Sequence, residues 1–448
     1  MTAKLFRRVP IAIVSAIALL LTACGGDGSG GGGDLTTVVV WDRASSQADA
    51  KKAYFEEWNK AQGAEAGIKV NYEPQAADKY EEIVRVAFQT NRGPDIFHTP
   101  SSQMGGFVGA GWVQPLDEIV DQGVLDSAKR YLGPSSELVW EGKPYAIPTT
   151  LAVNRLVINT ELFEKAGLDP EDPPATYSEL VEASKKVAAV DKGKTFGMAL
   201  RTKWVGFRQW DVDLMVMASS PDLTNGMFNR ATGKYEMMHY ADVVKALRQL
   251  EADKSAYPGT ATLDSDAATA AFANGEVAMM INSGFVVSAM KAVDSEVEIA
   301  TAPLPVADGA ELVRMPMNAG YPYGISGTTE DTDAAGTVLE TLVSDDVQQK
   351  IAEEDVPPVS PAVWDSPVMK DNEELQLFRP TDLDEQWPKN PNAVVPIEGK
   401  DLDQTIVALV TDTSLPIDST LQDLQQRYND AYATAVENGE VDPSEFTG

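Results

Sequence analysis

An α/β fold, with a parallel sheet covered by helices on both faces, is predicted for this chain from two observations. The stretch after residue 34 alternates strand, helix, strand, helix, strand, a pattern that calls for crossover connections. The length, 448 residues, exceeds what a single core usually fills, so two lobes are expected. The first element is Leu35 to Trp41, β-branched and continuous, which reads as a buried strand. Asp42 to Ser46 is the polar turn after it. Ala50 to Lys60 carries Tyr54, Phe55 and Trp58 on one helical face and charges on the other. Gly67 to Glu73 alternates as a strand, Asp78 to Thr90 is a second amphipathic helix, and Pro94 to His98 is a third strand. Ligands bind at the carboxyl ends of strands in such sheets. Asp42, Arg43, Ser45 and Ser46 would then share a rim with Thr99, Ser101 and Ser102.

Further along, Tyr145 to Pro148 is extended, Leu151 to Ile158 is an apolar strand, and Glu161 to Ala166 is a short helix stopped by Gly167. Thr176 and Glu179 have the spacing of a capping box at the head of another helix. Asp264 to Asn274 is helical and Gly275 to Ile281 is a strand, followed by Asn282-Ser283-Gly284-Phe285. Val297 to Pro305 and Gly320 to Ser326 read as further strands, and Asp418 to Asn438 as a polar amphipathic helix.

The single cysteine, Cys24, follows Leu21-Thr22-Ala23 at the end of the apolar run Ile11 to Leu21, behind Lys4, Arg7 and Arg8. This is the layout of a secretory signal. The run is too short to span a hydrocarbon core of roughly 30 Å as a helix. Leu-Thr-Ala-Cys resembles the lipobox of bacterial lipoproteins, which implies a lipid on the Cys24 sulfur and Cys24 as the first mature residue. An ordinary signal peptide beside a free cysteine is the alternative. The Gly-rich stretch from Gly25 to Asp34 cannot bury apolar surface and reads as a flexible tether.

Net charge is −32, and removal of the three leader cations Lys4, Arg7 and Arg8 makes it −35. Such acidity argues against nucleic acid or anionic lipid as partners. With two histidines, His98 and His239, and one cysteine in the chain, no metal site and no cofactor are expected. Gly-x-Ser-x-Gly, His-Glu-x-x-His and P-loop motifs are absent, and the chain is read as a non-enzyme.

The stretches Val38 to Asp42, Ala53 to Trp58, Gly93 to Ile96, Gly111 to Leu116 and Gly142 to Pro148 together resemble the extracellular solute-binding proteins of ABC importers, the class that includes the maltose-binding protein. Asn159 to Leu168, Pro174 to Leu180, Phe272 to Phe285 and Gly320 to Ser326 continue the pattern in family order, while Val394 to Gly448 matches loosely. The resemblance implies a two-lobed periplasmic-binding-protein-like fold of type II topology, with a hinge and an interlobe ligand cleft. It divides the chain into a signal peptide (1–23), a tether (24–34), lobe one (35–148 and 296–352) and lobe two (149–295 and 353–448). Its implied role is a lipid-anchored receptor on the extracellular face of the cell membrane. Such a receptor binds a mono- or oligosaccharide, delivers it to an ABC permease and is expected to act as a monomer. The same fold holding a polyamine or other small solute is the alternative, for which Asp211 and Asp213 would be useful. A ligand sensor is a further reading.

Sugar edges suit carboxylates, amides and Arg, and sugar faces suit aromatic rings. At family-expected positions the candidates are Asp42 and Arg43 after the first strand, His98 and Ser101 after the third, and Thr150 at the first lobe crossing. Trp204, Phe207, Trp210 and Asp211 form an aromatic-acidic cluster; helical spacing of the last three also suits core packing. Phe285, Tyr321 and Trp364 complete the set. Trp41, Trp58, Trp112 and Trp140 are expected to be buried in lobe one or at its rim.

Overall fold

The computed structural model describes residues 35–77, 79–393, 395 and 397–447. The signal, Cys24 and the tether lie outside them. Ten strands build the two main sheets: β1 Thr36–Arg43, β2 Ile68–Gln75, β3 Ile96–His98, β4 Thr150–Asn159, β5 Phe196–Met198, β6 Val277–Ser283, β7 Ile299–Ala302, β8 Met315–Gly320, β9 Tyr323–Ile325 and β10 Asp384–Gln386. The first sheet runs β9-β3-β1-β2 and the second β10-β8-β4-β6-β5, with β7 also paired to β4. In the first, β1 is parallel to both neighbours, with Val40 opposite Tyr72 and opposite Ile96. Antiparallel β9 closes that sheet, Tyr323 facing His98.

The local code behaves as the sequence predicts in most places. Ser45 caps helix α1 (Ser46–Trp58) by accepting from the Ala48 amide, so the polar turn is shorter than expected and β1 extends to Arg43. Helix α2 spans Tyr80–Gln89, and Thr176 and Glu179 form the predicted capping box of helix α3 (Tyr177–Ala188). Thr176→Ala should therefore destabilise the fold by about 1 kcal/mol in urea unfolding. All ten residues of β4 are buried, which explains a strand without alternation: both its faces are covered.

Strand pairing corrects the expected lobe boundary at residue 296. β7 pairs with β4 through Ile299 and Asn159, and β8 pairs with β4 through Gly320 and Thr150. Both strands thus belong to the second sheet, and the chain returns to the first only at β9. β7 lies within the predicted strand Val297 to Pro305, whereas β8 precedes the predicted strand Gly320 to Ser326, and nothing local says which edge they join.

Each sheet has its own core. Val38, Val40, Phe55, Ile96 and Tyr323 pack with Leu339 of helix α4 (Thr332–Leu342) around the first. Leu156, Ile158, Leu180, Leu247 and Leu424 belong to the larger core around the second. Three segments cross side by side between the bodies. The Ile147 amide donates to Tyr323 O at 3.0 Å, the Thr149 amide to Gly320 O at 3.2 Å, and the Leu151 amide to Pro357 O at 2.9 Å. At this junction a Cβ on Gly320 would stand 3.0 Å from Thr150 Oγ1. Among the described residues, no helix is long and apolar enough to cross a membrane.

Candidate functional site

The carboxyl ends of β1 and β3 meet the crossing segments, so the first rim is built where the sequence places it. Its side chains are arranged differently. Asp42 is fully buried. It accepts from Tyr72 Oη at 2.6 Å and from its neighbour's amide, Arg43 N, at 2.7 Å. Lys51 of α1 lies 3.6 Å from Asp42, also fully buried, and donates to Tyr323 Oη at 2.8 Å and Gln47 Oε1 at 3.1 Å. Burial lowers the Lys51 pKa, and the Asp42 charge opposes that shift. Asp42 is thus a buried support beneath the rim, a correction to its expected role as a ligand contact.

Beside it, His98 stacks on Tyr321, with ring centroids 4.8 Å apart. Burial pushes the His98 pKa down to about 4, so the ring is neutral at pH 7. Tyr321 holds φ at 45°, a left-handed conformation unusual for a non-glycine residue, at one of the three crossings. Thr149 Oγ1 donates to Tyr321 O at 2.9 Å and fixes that conformation. Arg43 and His98 line a groove with Tyr80 and Arg85.

The principal cleft, about 530 Å³, lies between the bodies. Ser101, Gln103, Phe107 and Trp112 line it after β3. Glu137 and Trp140 come from the following loop, Arg208, Gln209 and Asn225 from the second body, and Lys389, Asn390 and Asn392 from the segment after β10. Of the expected contacts, Ser101 is in this cleft. Trp210 is not among the lining residues; its ring packs on buried Trp387 at 4.8 Å, whose Nε1 donates to Glu137 at 3.4 Å.

Several expected contacts sit elsewhere. Phe207 is in the second core, and Trp364 is buried with its Nε1 donating to Pro358 O at 2.9 Å. Asp211 is buried and held by Arg201, whose Nε and Nη2 donate at 2.9 and 2.7 Å. The same guanidinium lies 4.3 Å from the centre of the half-buried Trp204 ring. Thr150 is fully buried in the sheet, its hydroxyl without a partner among the described residues. Phe285 heads the helix after β6 and packs against Val347, Ile351 and Val356. Core filling and ion pairing therefore account for Asp42, Phe207, Asp211 and Trp364. Helical spacing brings apolar groups together just as well to bury them as to present them.

The cleft residues that sequence reading missed include five amides spread over four distant segments. The sequence holds no local signal for Gln103, Gln209, Asn225, Asn390 or Asn392. Trp140 was expected in the core or at the rim, and the rim is where it stands.

Arg208 belongs to a five-residue π-helical turn, Arg208–Val212, a local widening often found at functional positions. Its guanidinium pairs with Asp213 and donates to Asn225 Oδ1 at 3.0 Å and Asp403 at 2.8 Å. Asp213 also accepts from Tyr240 Oη at 2.6 Å and the Gly226 amide at 2.9 Å. Both acidic residues of the cluster, Asp211 and Asp213, are thereby neutralised by arginine rather than left open for a cation.

Two α/β bodies, three adjacent crossings and an amide- and aromatic-lined cleft between them define a receptor for a small polar solute. Residues 44–349 match the family described as bacterial extracellular solute-binding protein, and the chain belongs to that family. A protein of Brucella abortus named as a binding protein is 24% identical over 67% of this chain and 71% of its own length. The maltotriose-binding protein of Pyrococcus abyssi is 21% identical over 57% of this chain and 52% of its own. Among solved structures, the sugar-binding protein MalE of Xanthomonas citri aligns with a TM-score of 0.71 at 18% identity, covering 91% of this chain and all of that one. The GacH receptor of Streptomyces glaucescens aligns at 0.68 and 20%, covering 89% and 99%. These neighbours share the two-lobed fold, and the family consists of solute-binding proteins rather than enzymes.

Proposed function

We propose that this protein is the saccharide receptor of an ABC importer, held at the outer face of the membrane by a lipid on Cys24 and acting as a monomer. The observation that carries the reading is the cleft between the bodies, where Trp112 and Trp140 stand among Gln103, Gln209, Asn225 and Asn392. Aromatic faces with surrounding amides match a sugar's apolar face and hydroxyl edge. Relatives named for maltotriose or maltooligosaccharide binding, one of them a lipoprotein, support the same reading. Closure at the three crossings would let a permease distinguish loaded from empty receptor by shape.

A polyamine ligand is less well supported, because the acidic residues that could attract it are engaged by Arg201 and Arg208. Titration calorimetry against maltotriose, raffinose, a xylo-oligosaccharide and spermidine tests the choice. Saccharide binding with spermidine silent is expected; spermidine binding with the sugars silent overturns it. Trp140→Ala should weaken saccharide binding by about 1–2 kcal/mol, the scale of a buried aromatic contact. Trp210, which is not among the cleft-lining residues, should matter less when replaced by Ala. Labelling of Cys24 by radioactive palmitate in growing cells, lost in Cys24→Ala, tests the anchor.

A further inference from the structure

Among the described residues lining the principal cleft, Glu137 is the one carboxylate, and it is only 6% exposed. Its carboxyl has a single protein partner among the described residues, Trp387 Nε1 at a long 3.4 Å. A buried carboxyl with so little compensation is costly unless something else satisfies it. Its own turn and the neighbouring Lys389 are engaged elsewhere. Glu137 O accepts from Trp140 Nε1 at 2.9 Å, which locks the turn that carries it. The Lys389 amide donates to Ser135 O at 2.7 Å, and its ammonium to Val139 O at 2.9 Å. The loop is thus tied to the segment after β10, and Glu137 stands where the two meet.

The charged groups facing this end of the cleft are Arg208, Lys389 and Glu445. Arg208 is committed to Asp213 and Asp403, and Lys389 to Glu445. Arg230 lies behind, acting on Lys389. None of these cations forms an ion pair with Glu137. We propose that Glu137 is a specificity-determining residue of the cleft, its carboxylate receiving hydrogen bonds from hydroxyls of a neutral saccharide. The inference rests on the saccharide reading and deepens it: acidic sugars would be repelled at this end, and neutral hydroxyl pairs selected.

Burial pushes the Glu137 pKa up to about 7, partly offset by the Trp387 hydrogen bond. A carboxylate that must be ionised to accept two hydroxyls would therefore bind better above that pH than below it. Affinity should fall about tenfold from pH 8 to pH 6, in line with the loss of the ionised form.

Calorimetry of the full mature chain with maltotriose, raffinose and a xylo-oligosaccharide at pH 8, 7 and 6 tests this, followed by Glu137→Gln with whichever sugar binds. The expected result is saccharide binding at pH 8 that weakens about tenfold by pH 6, and a Gln variant that binds at least tenfold more weakly at pH 8 with a flat pH profile. Near-ultraviolet circular dichroism confirms that the variant is folded. Binding that is tight and independent of pH in the unaltered protein overturns the Glu137 assignment and leaves the saccharide reading standing. A Gln variant with unchanged affinity does the same. Failure of all three sugars to bind at pH 8 overturns both.

Discussion

Replacement of Lys51 by Met is expected to cost about 3–5 kcal/mol of folding stability, the usual effect of removing one partner from a buried ion pair. Lys51 and Asp42 are both fully buried, 3.6 Å apart. Once the ammonium is gone, Asp42 keeps the Tyr72 hydroxyl and one backbone amide and no counter-charge. The ammonium also lies 4.8 Å from the Tyr323 ring centre and 5.6 Å from that of Tyr321, so its loss removes a cation from two aromatic faces as well. Urea unfolding of the single variant, of Asp42→Asn and of the double variant measures the effect. The double variant should recover part of the loss, because neither charge then remains uncompensated. A single Lys51→Met variant within 1 kcal/mol of the parent would contradict this account.

The second large effect concerns pH. The Glu137 pKa is raised from 4.5 to about 7 in the folded chain. The folded state therefore holds this proton more tightly than the unfolded state does. Its stabilising effect is complete below the unfolded value of 4.5 and is lost as pH rises to about 7. The shift corresponds to about 3 kcal/mol. Glu137→Gln lacks this titration, so relative to the parent it should gain about 3 kcal/mol between pH 4 and pH 8, read from urea midpoints at each pH. Parallel pH profiles for the two proteins would exclude a buried titrating carboxyl at this position. If the saccharide hydroxyls satisfy the carboxylate, added ligand should narrow the gap at pH 8 by mass action on the folded parent.

Most elements were legible because local physics determines them. The strand at Thr36–Arg43 is β-branched, the helix at Tyr177–Ala188 carries its own capping box, and the helix at Ile417–Glu437 has an amphipathic face. The site was legible only in part. Ser101 follows a strand end and reaches the principal cleft, and Arg43 and His98 share a neighbouring groove. Asp42 stands at the carboxyl end of β1 just as well and is buried, because Lys51, from the helix that follows, brings its ammonium to within 3.6 Å of it. Phe207 and Trp364 have the composition of sugar platforms and the surroundings of a core. Side-chain type does not distinguish the two roles; the neighbours do.

By itself the sequence determined the α/β class, most of the regular elements and the family pattern, since these depend on residue periodicity, turn chemistry and short stretches in order. Only the tertiary structure decided that β7 and β8 join the second sheet, because strand partners are set by long-range hydrogen bonds. Likewise it alone gathered Gln103, Glu137, Arg208, Asn225 and Lys389 around one cleft. Those residues are far apart in the chain, and a cleft between two bodies exists only after both have folded.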